Sequence, residues 1–392
     1  MLFRSIYGIV FALGISGILF LDYYFNKKNP GTSQKQLFIG LSIVIVGVIL
    51  SLIQIMPDKD NTWPGFYATE LFDMIRWESI ANRLFLAYFY IPNPTGINFW
   101  NTNIYFKDYP VMHLPIWNWY NEHPEYLWGW IYMPIISFLL GIIIFIRKPL
   151  IMLLYAGTTF GLLSVFYYTD LVHIRYTGYL LIVLVVCYWL AKYYPDSVYD
   201  NAFMRFLSTT GRLISIPFLT IVLVTNIIGG MVAYSKDINE KFTVSKDAAD
   251  YIMENKLDTL TIVGSTDFTI ASISAYVGKT IYYPQMADYG SYVIWNKKRK
   301  NDFTIPQLDS SINLLVNEGK TKLLLILTNA PQFSTDGKTN QRLVHGLFAK
   351  NIKADLIKSF EGGIVADEKF FIYIVQKIDP AKENLSQYTI LY

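Results

Sequence analysis

Six runs of mostly apolar residues dominate the first 235 positions: 5–24, 37–56, 127–146, 150–168, 176–190 and 213–234. Each approaches the roughly 20 residues that carry a helix across a bilayer. No backbone polar group can go unpaired in lipid, so each run is expected to be a helix. The fifth is short, and flanking aromatics complete it. Charged residues are only 16% of the chain and the mean hydropathy is +0.31, against about 25% charged residues in an ordinary globular chain. Beyond position 235 the long runs stop and an ordinary mixed pattern begins. The expected fold is therefore a polytopic α-helical membrane protein with about six transmembrane helices at 1–235, interrupted by an aromatic-rich loop at 57–126, followed by a soluble α/β domain at 236–392.

Charge sets the expected orientation. Lys27, Lys28 and Lys35, then Arg147 and Lys148, then Lys192, Arg205 and Arg212 fall on one side if the runs alternate, and the positive-inside rule makes that side cytoplasmic. The 57–126 loop, the turn at 170–175 and the C-terminal domain then lie outside. Met1 also lies outside, with Arg4 just before the first run. Either further helices precede this chain in the full protein, the first run is miscounted, or it inserts with its N-terminus out. No small-residue cleavage pattern follows the first run. The net charge of +3 gives no reason to expect a nucleic-acid partner. The single cysteine, Cys187, excludes an internal disulfide.

Three groups carry candidate chemistry. Asp170, His173 and Arg175 are crowded into six positions between two apolar runs. They read either as a pocket for a charged group or as the polar ends of two helices. The loop begins with helical periodicity at 66–90. Phe66, Leu71, Ile75, Ile80, Leu84 and Phe85 fall on one side, and Glu70, Asp73, Arg76, Glu78 and Arg83 on the other. That pattern predicts an amphipathic helix lying on the membrane or on the other spans. After the break at Ile91-Pro92-Asn93-Pro94 come Trp100, Asn101 and Asn103, then Trp117, Trp119, Trp128 and Trp130. Aromatic faces interleaved with Asn suit a sugar ring, and they equally suit an interfacial belt. His113, Glu122, His123 and Glu125 are of the types that hold Mn or Zn, in no tight metal spacing; surface polar residues beside prolines read the same way.

In the C-terminal region, helices are expected at 244–255, 268–277, 305–316 and 342–350, and strands at 260–263, 281–283, 292–295, 323–327, 354–360 and 370–376. Val263-Gly264-Ser265-Thr266-Asp267 ends a strand and opens a helix, a position that can bind anions. It lacks the glycines of a dinucleotide site and the Gly-Lys-Ser/Thr of a phosphate loop, so Asp267 or Ser265 reads more simply as a cap. Lys297-Lys298-Arg299-Lys300 reads as a solvated basic loop, or as one touching anionic headgroups. His345, inside the expected fourth helix, has no acid or nucleophile near it in sequence.

Three stretches resemble a known group. Ile174-Arg175-Tyr176 opens a Leu/Val-rich run. Ile91-Pro92-Asn93-Pro94 precedes Phe99-Trp100-Asn101-Thr102-Asn103. Ser245-Lys246-Asp247-Ala248-Ala249-Asp250-Tyr251-Ile252 leads on to Tyr282-Tyr283-Pro284 and Trp295-Asn296. Together they look like the GT-C class of membrane glycosyltransferases, in particular bacterial members related to protein O-mannosyltransferases and lipid A aminoarabinose transferases.

The resemblance implies a polyprenyl-phosphate-linked sugar as donor, a glycan or lipid acceptor, and transfer at the outer face of a bacterial plasma (inner) membrane. It also implies a basic residue on the lipid phosphate, for which Arg175 is the match with His173 beside it. Trp100, Asn101 and Asn103 become sugar or acceptor contacts. A divalent metal would fall to His113 and His123. The class places its catalytic carboxylate in the first outer loop. Here the loop after the first run, 26–36, has no acid, so the catalytic front end is expected to be missing or upstream. Asp170, Glu70, Asp73 and Glu122 are the acids that could substitute. Two other functions fit the sequence: a non-catalytic membrane subunit that binds polyprenyl lipid or glycan, and a transporter or flippase. The second of these would favour charges inside the spans, whereas the charges cluster at their ends.

Overall fold

The computed structural model describes residues 6–25, 33–56, 59–60, 73–94, 99–101, 103–104, 127–169, 174–300, 304–328, 332–335, 339–342, 345–349, 351–365, 367–379, 381 and 389–390. They form two compact units that divide after Ser235, with Lys59 and Asp60 belonging to the second.

The first unit is helical: α1 (Ile6–Phe25), α2 (Gln34–Ile55), α3 (Met74–Tyr88), α4 (Leu127–Phe145), α5 (Pro149–Thr169), α6 (Ile174–Leu190) and α7 (Ala202–Asn239). Among the described residues, five helices are long and apolar enough to cross a membrane: α1, α2, α5, α6 and α7. The remaining expected span, the third run at 127–146, folds as α4, whose described apolar part, Tyr132–Phe145, is shorter. α2 starts on a capping box, in which Ser33 Oγ accepts from Gln36 N–H and the Gln36 side chain accepts from Ser33 N–H. Its Ile43, Ile53 and Phe38 point outward, uncovered by protein, as a lipid-facing helix requires. α7 is longer than its apolar run: Asn201 Oδ1 accepts from Phe203 N–H at 2.8 Å and opens the helix eleven residues before the run begins.

α3 takes one of the two settings expected for it, against the other spans. It spans 74–88 rather than 66–90, and 66–72 lie outside the described residues. It packs against α4, α5 and α6. Ile80, Leu84, Leu86, Ala87 and Tyr88 are buried, and so is Arg83, only 4% exposed. A helix with a wet polar face would leave that arginine in water. This one lies on the other spans, and Arg83 is enclosed together with its apolar face.

The second unit is built on a mixed sheet of order β10-β7-β8-β9-β4-β1-β2-β3. Its strands are β1 (Thr261–Ser265), β2 (Ile281–Tyr283), β3 (Asp288–Gly290), β4 (Lys322–Leu327), β7 (His345–Ala349), β8 (Ile352–Phe360), β9 (Phe370–Lys377) and β10 (Thr389–Ile390). A separate hairpin pairs β5 (Gln332–Thr335) with β6 (Thr339–Arg342). β1 runs parallel to both β2 and β4, and β9 is antiparallel to β4. Side chains alternate across the sheet with the period of two that strands impose. Val263, Leu323, Leu325 and Tyr373 pack on Leu308, Ile312 and Leu315 of α10 (Ile305–Asn317). Ile262, Leu324, Ile326 and Ile372 pack on Ala248, Ile252, Ile270 and Ile273 of α8 (Ser245–Glu254) and α9 (Asp267–Val277). The α/β expectation holds at this level.

Two local expectations fail. The stretch 342–350, expected to be a helix around His345, is instead the end of β6 and the whole of β7, which pairs antiparallel with β8. The stretch 292–295 is not a strand; β2 finds its partner earlier, at Asp288–Gly290.

Candidate functional site

The N-terminus of α3 meets the C-terminus of α5. Asp73 is the residue before α3, and its Oδ1 accepts from the backbone N–H of Arg76 at 3.2 Å. This is the N-cap geometry that Asp favours. The backbone N–H of Asp73 donates to Tyr167 Oη at 2.9 Å. One helical turn on, Trp77 stacks on the Tyr167 ring with centroids 4.7 Å apart and planes 16° from parallel, and on Phe160 at 5.9 Å. The Arg76 guanidinium lies 5.1 Å from the Tyr167 ring centroid, a cation–π contact. Tyr7 of α1 stacks on Tyr179 of α6 at 5.2 Å and touches Phe166 and Tyr176. α5 ends at Thr169 and α6 begins at Ile174. A half-buried carboxylate, a guanidinium and an aromatic wall thus gather around Tyr167, near the C-terminal end of α5.

The far end of α3 is buried and held by polar groups from α7. Thr225 Oγ1 donates to the carbonyl of Tyr88 at 2.9 Å, and Asn226 Nδ2 donates to it at 3.0 Å. The last carbonyls of any helix lack intrahelical partners, and α7 supplies them here. Tyr88 Oη and Tyr155 Oη are hydrogen-bonded at 3.0 Å, both rings fully buried. α3 is 15 residues long, about 22 Å at 1.5 Å per residue, too short to cross a hydrocarbon core of about 30 Å. Its C-terminal carbonyls are satisfied by protein, as backbone groups held away from water must be.

Of the sequence candidates, Asp73 lies at this junction. Arg175 is the second residue of α6, and its side chain lies outside the described residues, as does that of Asn101. Asp170, His173, Glu70, Glu122, His113 and His123 also lie outside them. Trp100 is half-buried, and its carbonyl accepts from Tyr90 Oη at 2.7 Å. Asn103 is 0% exposed. Among the described residues no group of three His, Cys, Asp or Glu could hold a metal ion. Sequence reasoning passed over Trp77, Tyr167 and the Thr225–Asn226 pair. The last left a legible signal: two adjacent polar side chains in the middle of an apolar run need buried partners.

A second polar cluster occupies the C-terminal ends of β1 and β4 in the sheet unit. Arg299 makes a bidentate pair with Asp267, Nε to Oδ2 and Nη2 to Oδ1, both at 2.7 Å, with the side chains 4% and 0% exposed. Its guanidinium also lies 4.0 Å from the Trp295 ring centroid. The basic run is therefore not uniformly solvated: Lys297, Lys298 and Lys300 are exposed, while Arg299 turns inward. Asp267 is the first residue of α9 rather than its cap, a position filled by Thr266. Nearby, burial pushes the Tyr283 hydroxyl up to about 12.

The fold defines a multi-pass, membrane-associated protein carrying a mixed α/β unit. No family model matches the chain, and no curated protein or solved structure matches it.

Proposed function

We propose that this chain is a membrane glycosyltransferase that passes a sugar from a polyprenyl-phosphate-linked donor to a glycan or lipid acceptor on the outer face of a bacterial plasma membrane. What supports the reading is the position of Asp73. It is half-buried at an aromatic-walled junction beside Arg76, at the end of the helix that precedes Asp170–Arg175 in sequence. In this reading Asp73 takes the place of the carboxylate that the first loop lacks. It accepts the proton of the acceptor hydroxyl as that oxygen attacks the anomeric carbon. The bond to the lipid phosphate breaks, and Arg175, assisted by His173, stabilises the departing phosphate. Trp77 and Tyr167 form the wall against which the sugar lies.

A second reading has a specific observation in its favour. The Asp73 carboxylate already accepts the Arg76 N–H, so its role is also accounted for by capping alone, as in a lipid-binding subunit without catalysis. Asp73→Asn separates the two, because Asn caps as well as Asp but cannot take a proton. The assay uses the full chain in nanodiscs with polyprenyl-phosphate hexoses and pentoses, and measures the polyprenyl phosphate released. Loss of release with an unchanged melting temperature supports catalysis by Asp73. Full release in Asp73→Asn removes Asp73 from the chemistry, and full release in Arg175→Ala removes the phosphate assignment. A C-terminal reporter that reads cytoplasmic overturns the orientation.

A further inference from the structure

The sheet unit carries a site that the glycosyltransferase reading does not use. The chain leaves β1 through α9 to reach β2 on one side, and arrives through α10 at β4 on the other. The two helices pack on opposite faces of the sheet. The carboxyl ends of β1 and β4 are therefore the point where the winding reverses, which is where open α/β sheets bind their ligands.

That point is lined with neutral polar groups. Thr266 Oγ1 and Thr328 Oγ1 lie 3.1 Å apart, and the N–H of Thr328 donates to the carbonyl of Ser265 at 3.0 Å. Gln285 Nε2 donates to Ser265 Oγ at 3.0 Å. Ser265 and Thr266 are partly exposed, while Thr328 and Gln285 beneath them are 4% and 3% exposed. Gln285 Oε1 is buried and has no hydrogen-bond partner among the described residues. Turning the amide over exchanges its ends without removing the surplus, because Ser265 Oγ can donate as well as accept. A buried amide with one end unused calls for an explanation, and a ligand hydroxyl held at Ser265, the residue this amide already contacts, supplies one by drawing the amide outward. Beside it, Phe268 is 48% exposed and stacks on Trp295.

We propose that the carboxyl ends of β1 and β4 bind a neutral saccharide. The charges select against a phosphate. Asp267 puts a carboxylate at the N-terminus of α9, where a phosphate would need bare amides, and Arg299 is buried in a bidentate pair with Asp267. Hydroxyl and amide groups remain for the sugar's hydroxyls, and the outer face of Phe268 for its C–H face. The proposal stands apart from the reaction assigned to the helical unit.

The test uses the full chain in nanodiscs with the methyl glycosides of glucose, mannose and N-acetylglucosamine, and saturation-transfer NMR as readout. At least one glycoside is expected to bind saturably. Thr328→Val, which preserves shape, and Ser265→Ala, at a half-exposed position, should each weaken binding by about tenfold, the loss of one hydrogen bond. Only the signal lost in Thr328→Val and Ser265→Ala is assigned to this site, whereas the glycosyltransferase reading is tested by polyprenyl phosphate release, so failure of one does not touch the other. Absence of binding by all three glycosides, binding insensitive to both substitutions, or displacement by inorganic phosphate overturns the proposal.

Discussion

Asn226 of α7 donates its side-chain amide to the backbone carbonyl of Tyr88, 3.0 Å away and 138 residues earlier in the chain. Thr225 reaches the same oxygen. Two polar side chains of an apolar helix are thereby explained by the end of another helix. Asn226→Leu combined with Thr225→Val leaves that carbonyl buried without its donors, at a cost of about 1–3 kcal/mol. A thermal melt in detergent should show a lower midpoint, and hydrogen exchange should rise along 74–88. An unchanged melt would mean that α3 does not depend on α7.

A neighbouring pair of glycines tests the same contact. A Cβ on Gly229 would run into the carbonyl oxygen of Tyr90, whereas a Cβ on Gly230 would meet open space. The obstacle is backbone, so it cannot swing aside. Gly229→Ala should destabilise by about 1–3 kcal/mol, the usual range for overpacking. Gly230→Ala should be neutral or slightly stabilising, because alanine is the better helix former. Equal effects of the two substitutions would contradict the close approach.

In the sheet unit, Asp267→Asn strands a buried guanidinium, and Arg299→Leu strands a buried carboxylate. Removing one partner of a buried pair costs about 3–5 kcal/mol. Hydrogen exchange over 261–300 should accelerate in either variant, and the double substitution should recover much of the loss. Arg299→Lys should behave almost as badly as Arg299→Leu, since an ammonium cannot make the two-point contact or lie flat on Trp295. Substituting the exposed Lys298 by Ala should have no measurable effect.

Tyr167→Phe removes the acceptor of the Asp73 N–H while keeping the ring that Trp77 and Arg76 lie against. The expected loss of stability is about 1 kcal/mol. If the junction is the site of transfer, release of polyprenyl phosphate should fall more than stability does. A fall in both together would point to a purely structural hydroxyl.

The spans were legible because twenty apolar residues in a row have few other uses. The positions of β1, β4, β8 and β9 were legible for a similar reason: short buried runs bounded by turns read as strands. What the pattern could not say is what a polar face touches. Arg83 and Arg299 look like surface residues in the sequence, since a charge enclosed by protein and a charge in water leave the same letter. The misread stretch around His345 shows another limit. Leu343, Val344, Leu347 and Phe348 fit a helical stripe, yet pairing with β8 extends the backbone from His345 to Ala349. Of the candidate site, Arg76 was named only as part of a polar helix face, and Asp73 stood among four acids. Its neighbour Tyr167 lies 94 residues away, a distance that no local pattern bridges.

The short helix α3 also constrains how the protein is made. A segment about 22 Å long that carries Arg76 and Arg83 is a poor substrate for direct entry into lipid, since each arginine opposes insertion by about 2.5–3.5 kcal/mol at the bilayer centre. Its partners α4, α5 and α6 emerge from the ribosome after it, and the groups that close its far end, Thr225 and Asn226, emerge last. The helix must therefore wait at the membrane surface while its own binding cleft is synthesised. A nascent chain halted before Thr225 should leave 74–88 open to protease, and one halted after Asn239 should not.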